Sequence, residues 1–412
     1  MSWLSDRNAD VVWRTLQVAA KQGSTFVIFL VAAKVLSPED FGRYNYLLAI
    51  AFLLVIFSDF GISASSARFV TRYRVLGSDK YDLVLYNAAI VILGLATAIA
   101  LGLVAYQGAN PGADWHAWLI LPLLYTIPLT SLYDGLYRGL GRFRDLSLVT
   151  MATGALSLAA SFALTHAFGL TGALIALNAY YFLLLSGEAA VFPRSRYLWD
   201  PEVVREVGLY AGTVGVIWTA YFLCNRADQL VLGHYGYVTE VGYYELVNKW
   251  VMLLLMPAGI LAQVEAPRIV ALHAKGERDV ILDKVRRAVM AVVGVTTPVA
   301  VVAVWVGPLL LGTFLPAMNV PLVVAILYVA MFLFPFQSLS EYVGNTFIVA
   351  TGHAALNMWN VIFFGLLNVS LDVWFVSHLG PSGILYARMI SVAGGSVALV
   401  GRYFWALRSE SG

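Results

Sequence analysis

"LSPEDFGRYNYLLAIAFLLVIFSDFGISAS", residues 36–65, decides how the rest of the chain is read. A short turn with one proline and two acids opens into a long apolar run over 41–65. About 20 such residues are enough for a helix to cross ~30 Å of hydrocarbon. The run is continuous, whereas a barrel strand would be shorter and alternate in and out. The turn reads as a helix start. Ser37 can cap, Pro38 suits the first turn, and Glu39 and Asp40 complement the positive helix end.

Outward from this stretch, runs of similar length fall at 11–35, 83–106, 115–138, 146–165, 170–192, 207–233, 241–265, 285–312, 320–350, 356–377 and 382–406. The chain has 412 residues, 60% hydrophobic and 12% charged, with a mean hydropathy of +0.77. A soluble domain has about twice that share of charge. The expected fold class is therefore an all-α integral membrane protein of about twelve transmembrane helices. The polar N-terminus, with Arg14 and Lys21 interrupting the first run, reads as retained sequence rather than a cleavable signal. The single cysteine, Cys224, and six scattered histidines give no disulfide and no metal-ligand spacing, so no metal and no cofactor are expected. No nucleotide loop or nucleic-acid motif is present, which leaves ATP drive and nucleic-acid partners unsupported.

The connections sort by charge. Those at 66–82, 138–145, 193–206 and 266–287 hold the basic residues, among them Arg68, Arg72, Arg138, Arg194 and Arg268. The alternate ones, near 36–42, 107–114, 166–169, 234–240, 313–319 and 378–381, hold no Lys or Arg. The positive-inside rule then places both termini in the cytoplasm of a multi-pass protein of the cell (inner) membrane.

The chain also repeats. With an offset of 200, residues 38–70 align without gaps: Gly42 meets Gly242, Tyr44 meets Tyr244 and Arg68 meets Arg268. This pairs span 2 with span 8. The expected organisation is an N-terminal six-helix bundle at 1–192, a linker at 193–206 and a C-terminal six-helix bundle at 207–412, around a central cavity. Two like bundles about a midplane site is how many alternating-access transporters are built.

At 35–70 the acidic turn runs into Phe-Gly-x-Tyr and then Asp-Phe-Gly and a basic residue. This resembles the second-span signature of the polysaccharide (Wzx-type) flippases. "RADQLVLGHYGYVTEVGYYELVNKW" (226–250) resembles their seventh-to-eighth span junction, and "YRGLGRF" (137–143) their fourth-span end. These belong to the multidrug/oligosaccharidyl-lipid/polysaccharide exporter superfamily. The resemblance implies transfer of a polyprenyl-diphosphate-linked oligosaccharide from the cytoplasmic to the outer leaflet. The partners it implies are that lipid-linked substrate, membrane lipid, H+ or Na+ as coupling ion and the polysaccharide polymerase machinery.

Intramembrane charges are the candidate site. Arg14, Gln17, Lys21 and Thr25 recur at spacings of three and four, on one face of span 1. Asn248 and Lys249 lie in span 8. Together they read as a polar, cationic wall for a diphosphate and sugars. The alternative for the cations is snorkelling to the nearer interface. Glu245 can pair with Lys249 one turn away. Asp59, Asp134 and Glu341 are candidates for ion coupling. Arg226 with Asp228, and Arg388 with Asp372, read as ion pairs or coupling groups. Glu188 reads as helix-end polarity. Gly42 and Gly242 read as helix-packing points.

Two other functions compete. A cation-coupled multidrug antiporter would want an acidic or apolar cavity, against which Lys21 and Lys249 count. A polysaccharide polymerase would want a large outer loop with catalytic groups, and every outer loop here is about ten residues or fewer. The expectation is a transporter and not an enzyme.

Overall fold

A computed structural model describes the backbone of residues 2–110, 112, 114–193 and 195–409, and their side chains except at 2–11, 224, 263, 264, 267, 408 and 409. Arg194 and the Cys224 side chain lie outside the described residues. The described chain is helical. Its main elements are α1 (Ser2–Val35), α2 (Pro38–Asp59), α3 (Ile62–Val75), α4 (Val84–Ala109), α5 (Leu123–Leu140), α6 (Phe143–Val191) and α7 (Pro201–His234). They continue as α8 (Val238–Ala274), α9 (Arg278–Phe314), α10 (Pro321–Val343), α11 (Ala354–Leu379), α12 (Gly383–Arg388) and α13 (Gly394–Ser409).

Among the described residues nine helices are long and apolar enough to cross a membrane, and α7 makes a tenth when its two parts count as one span. Two of these are double. The chain turns within α6 at Gly169 (φ 56°, ψ −132°), a conformation open to glycine. It turns again at Gly380–Ser382, between α11 and α12. The twelve expected spans are thereby all accounted for.

The opening stretch departs from its reading in one respect. Ser37 caps α2 as expected, accepting from the Asp40 amide at 3.1 Å. The helix then breaks before the end of the expected span 41–65. Phe60 (φ 37°) and Gly61 (φ 81°) are left-handed. Asp59 holds the new start by accepting from the Ser63 amide at 2.9 Å and the Ser63 hydroxyl at 2.5 Å. The apolar count does not register this break, because a two-residue corner costs a span no hydrophobicity.

The chain divides into two compact units, Met1–Thr219 and Ala220–Gly412. The sequence reading put the start of the second bundle at 207, after a linker. In the structure only the first part of that linker is irregular, since α7 begins at Pro201. Residues up to Thr219 belong with the N-terminal unit because Val203, Val207 and Ala211 bury against Ile62, Phe69 and Val70 of α3 and Val84, Ala88 and Ile92 of α4. The contact is close: a Cβ on Gly61 would fall 2.7 Å from the Ala211 carbonyl, and one on Gly215 would fall 2.8 Å from the Phe60 ring. In the C-terminal unit, Ile269 of α8 and Ile281 and Val285 of α9 bury with Val343, Phe347 and Ile348, and with Leu399 and Tyr403 of α13.

Candidate functional site

In the N-terminal unit the polar face of α1 meets α5. Gly135 and Gly139 let α5 lie tight on α3, where added Cβ atoms would fall 2.8 Å from the carbonyls of Ser63 and Ala67. That contact leaves Asp134 facing α1. Its carboxylate takes three cations: Arg14 at 3.2 Å, Lys21 at 3.2 Å and Arg138 at 2.9 Å. Buried Gln17 accepts from Arg14 at 2.5 Å and orients it. The acid is the most enclosed member at 11% side-chain exposure, while Lys21, Arg14 and Arg138 keep 27%, 32% and 44%. Three positive charges on one negative leave a surplus that the protein does not cover. Such guanidinium and ammonium groups are the usual partners of phosphate oxygens.

The sequence placed Arg14 and Lys21 on one wall and Asp134 among the coupling acids, and the structure brings all three together. Arg138, read only as a loop charge, is a full member. Its spacing of four from Asp134 on α5 was the available signal. Thr25 is not in the cluster; its hydroxyl donates to the carbonyls of Lys21 and Gln22 in its own helix. Asp59 is not in it either, being committed to Ser63.

The C-terminal unit carries two further clusters. Glu245 on α8 is buried and is approached at 3.5 Å by both Arg226 and Lys249. Asn248 donates to it at 3.4 Å and Gln229 also donates to it. Lys249 and Asn248, expected as open wall, are thus turned to an acid. Arg226 sits on Glu245 instead of its near neighbour Asp228.

The second cluster joins α7, α11 and the stretch after Arg388. Arg388 lies 3.3 Å from Asp228, not on Asp372 as the sequence reading had it. Asn368, one turn before Asp372, bridges the two acids. Its amide donates to Asp372 at 2.8 Å and to Asp228 at 3.0 Å. Ser391 donates to the Asn368 oxygen at 2.5 Å, which fixes the amide with its NH2 toward both acids. One Asp372 oxygen has no hydrogen-bond partner among the described residues, and the residue is fully buried. Two buried carboxylates bridged by one amide, with one guanidinium on Asp228, lack one positive charge, which a proton or a monovalent cation would supply. Asn368 and Ser391 escaped the sequence reading because a lone Asn or Ser in a helix carries no pattern. Glu341 stands apart, accepting from Asn345 at 2.9 Å. Gly42 and Gly242 are both buried.

A family model described as "Polysaccharide biosynthesis protein" matches residues 8–273. A search of curated proteins finds no match. Several solved structures share the fold. A multidrug resistance MATE family transporter of the MOP superfamily, in an inward-facing conformation, aligns over 97% of this chain and 100% of its own (TM-score 0.75, 16% identity). The lipid II flippase MurJ, in an inward closed conformation, aligns over 95% of this chain and 87% of its own (TM-score 0.76, 14% identity). A MOP superfamily transporter from Pyrococcus furiosus, described as having a binding pocket of reverse polarity, aligns over 98% and 97% (TM-score 0.59, 14% identity). At these identities the likeness speaks for the fold.

Proposed function

We propose, for a chain that belongs to the polysaccharide biosynthesis protein family and has the multi-pass fold of MOP superfamily transporters, that it flips a polyprenyl-diphosphate-linked oligosaccharide from the cytoplasmic to the outer leaflet of the inner membrane. The observation that carries this reading is the exposed positive surplus of Arg14, Lys21 and Arg138 over Asp134. A diphosphate diester brings two negative charges, which match that surplus. Charge at membrane depth is costly unless it faces water or a partner, so its retention on α1 and α5 fits a ligand. An organic cation would meet repulsion at the same place, which counts against drug efflux. The clusters on Asp228 and Asp372 suit a coupling proton or Na+ rather than a sugar, being sealed from solvent. The product would pass to the polysaccharide polymerase machinery.

The test is a leaflet-orientation assay in proteoliposomes with a defined polyprenyl-diphosphate-linked glycan. The wild-type protein is expected to move the glycan to the far leaflet and a Lys21→Glu variant is expected to fail. Wild-type vesicles that leave the glycan in place while expelling a cationic dye would replace this reading with the antiporter.

A further inference from the structure

Glu188, in the last turn of α6, is the buried acid that the anion site leaves unused. It is 0% exposed, and neither carboxyl oxygen has a hydrogen-bond partner among the described residues. Helix-end polarity does not explain it. An acid in a last turn faces the negative end of the helix dipole, and a polar group placed there for solvation would reach water.

Its position is set by α5. The Tyr137 hydroxyl donates to the Glu188 carbonyl at 2.8 Å. Phe192 closes the corner, with its ring 5.3 Å from that of Tyr133 and 5.1 Å from that of Tyr137. Tyr137 is three residues beyond Asp134 and so shares its helix face. Glu188 therefore sits beside the cationic cluster. The groups that act on it electrostatically are Lys21 from α1, Asp134, Tyr133 and Tyr137 from α5, and Tyr180 from its own helix. Of these Lys21 is the cation, and Lys21 is already on Asp134.

We propose that Glu188 is a proton-binding site linked to the anion site, so that the diphosphate and one proton bind together and leave together. The inference rests on the anion-site reading above. As a carboxylate, Glu188 subtracts one charge from the surplus of Arg14, Lys21 and Arg138, and it competes with the anion for Lys21. As an acid it does neither. The step is Glu188–COO⁻ + H3O⁺ giving Glu188–COOH + H2O, with no other reactant. By linkage, whatever the proton does for the anion the anion does for the proton. The sign is that of co-transport on this unit: acid on the loading side favours capture, and loss of the proton expels the anion.

The experiment uses the full chain in nanodiscs and a polyprenyl-diphosphate-linked monosaccharide as probe. As a diester, the probe does not itself titrate near neutrality. Wild-type affinity is expected to weaken about tenfold between about pH 6 and about pH 8, a coupling of ordinary size. Glu188→Gln, which keeps the shape of the acid without its charge, is expected to flatten the profile at the wild-type acid-end value. An unchanged slope in Glu188→Gln overturns the inference and leaves the anion site standing. No probe binding by the wild type at any pH overturns the anion-site reading and this inference with it. Calorimetry in two buffers of different ionisation enthalpy gives a second readout on the wild type alone. About half a proton taken up per probe bound is expected near pH 7, the slope that a tenfold change over two pH units implies, and none taken up overturns the proposal whatever the variant does.

Discussion

The polar cluster on Asp134 and the one on Asp228 and Asp372 carry opposite surpluses. In the N-terminal unit three cations share one acid. In the C-terminal unit two acids share the Asn368 amide, and one guanidinium, that of Arg388, sits on Asp228. Their access to solvent also differs. The surplus cations keep a quarter or more of their side chains exposed, whereas the surplus acids are sealed. An exposed surplus can be neutralised by a large ligand, and a sealed one only by something as small as a proton or a bare ion. The two clusters are thus set for different partners by the sign of their surplus and by their burial.

The sharpest way to break the comparison is to delete an acid from each cluster. Asp228→Ala strands Arg388, and removing one partner of a buried pair costs about 3–5 kcal/mol. Asp134→Ala frees cations that can turn to water, with a loss of under about 1 kcal/mol. Thermal unfolding of the purified variants reads both, and equal losses would mean that the two sites are not differently sealed. Next in size is Lys21. Lys21→Ala is expected to cut flipping about ten- to a hundredfold, since a charge-assisted bond to phosphate is worth about 1.5–3 kcal/mol. Lys21→Arg should keep much of the rate, because the site needs charge more than one donor geometry. Normal export by Lys21→Glu would remove the cationic wall from the account.

A third change separates the units by ion dependence. Asp372→Asn leaves one acid for one guanidinium and removes the missing charge. With Glu188→Gln beside it, so that the proton site of the other unit is silent, transport measured with and without an imposed proton or Na+ gradient should become insensitive to it, while binding of the anionic lipid survives. Continued gradient dependence would move the coupling site elsewhere. The smallest effect concerns the repeated glycines. Gly42→Leu and Gly242→Leu should each slow transport severalfold without loss of substrate binding, since both positions are buried and small residues permit close helix approach. Wild-type rates in both would make the repetition a relic of duplication.

What the sequence disclosed follows from which signals are local. The spans were legible because apolar length is written residue by residue, and even the corner at Gly169 falls in an expected connection. The face of α1 was legible because helical spacing of three and four is a local rule. Partner choice was not. Arg14 and Lys21 meet an acid more than a hundred residues away on α5. Arg388 meets Asp228 and Asn368 bridges both acids, and nothing near any of these residues in the sequence announces it. Glu188 reads from the sequence as helix-end polarity for a related reason. Its distinction is the lack of a partner, which a sequence cannot display.

The seating of Phe60 against Gly215 has a bearing on how such a sequence can drift. Position 215 has no room for a Cβ, which would fall 2.8 Å from the Phe60 ring and equally 2.8 Å from the Phe60 carbonyl, so shrinking the ring does not free the space. Gly61 is held in the same way. Its neighbour is the Ala211 carbonyl, again a backbone atom that no substitution can trim, and its own φ of 81° lies where side chains are strained. Across related chains, 61 and 215 should therefore both stay glycine while the ring at 60 is free to vary, a pattern that would locate the corner of the second span in relatives by their residues alone.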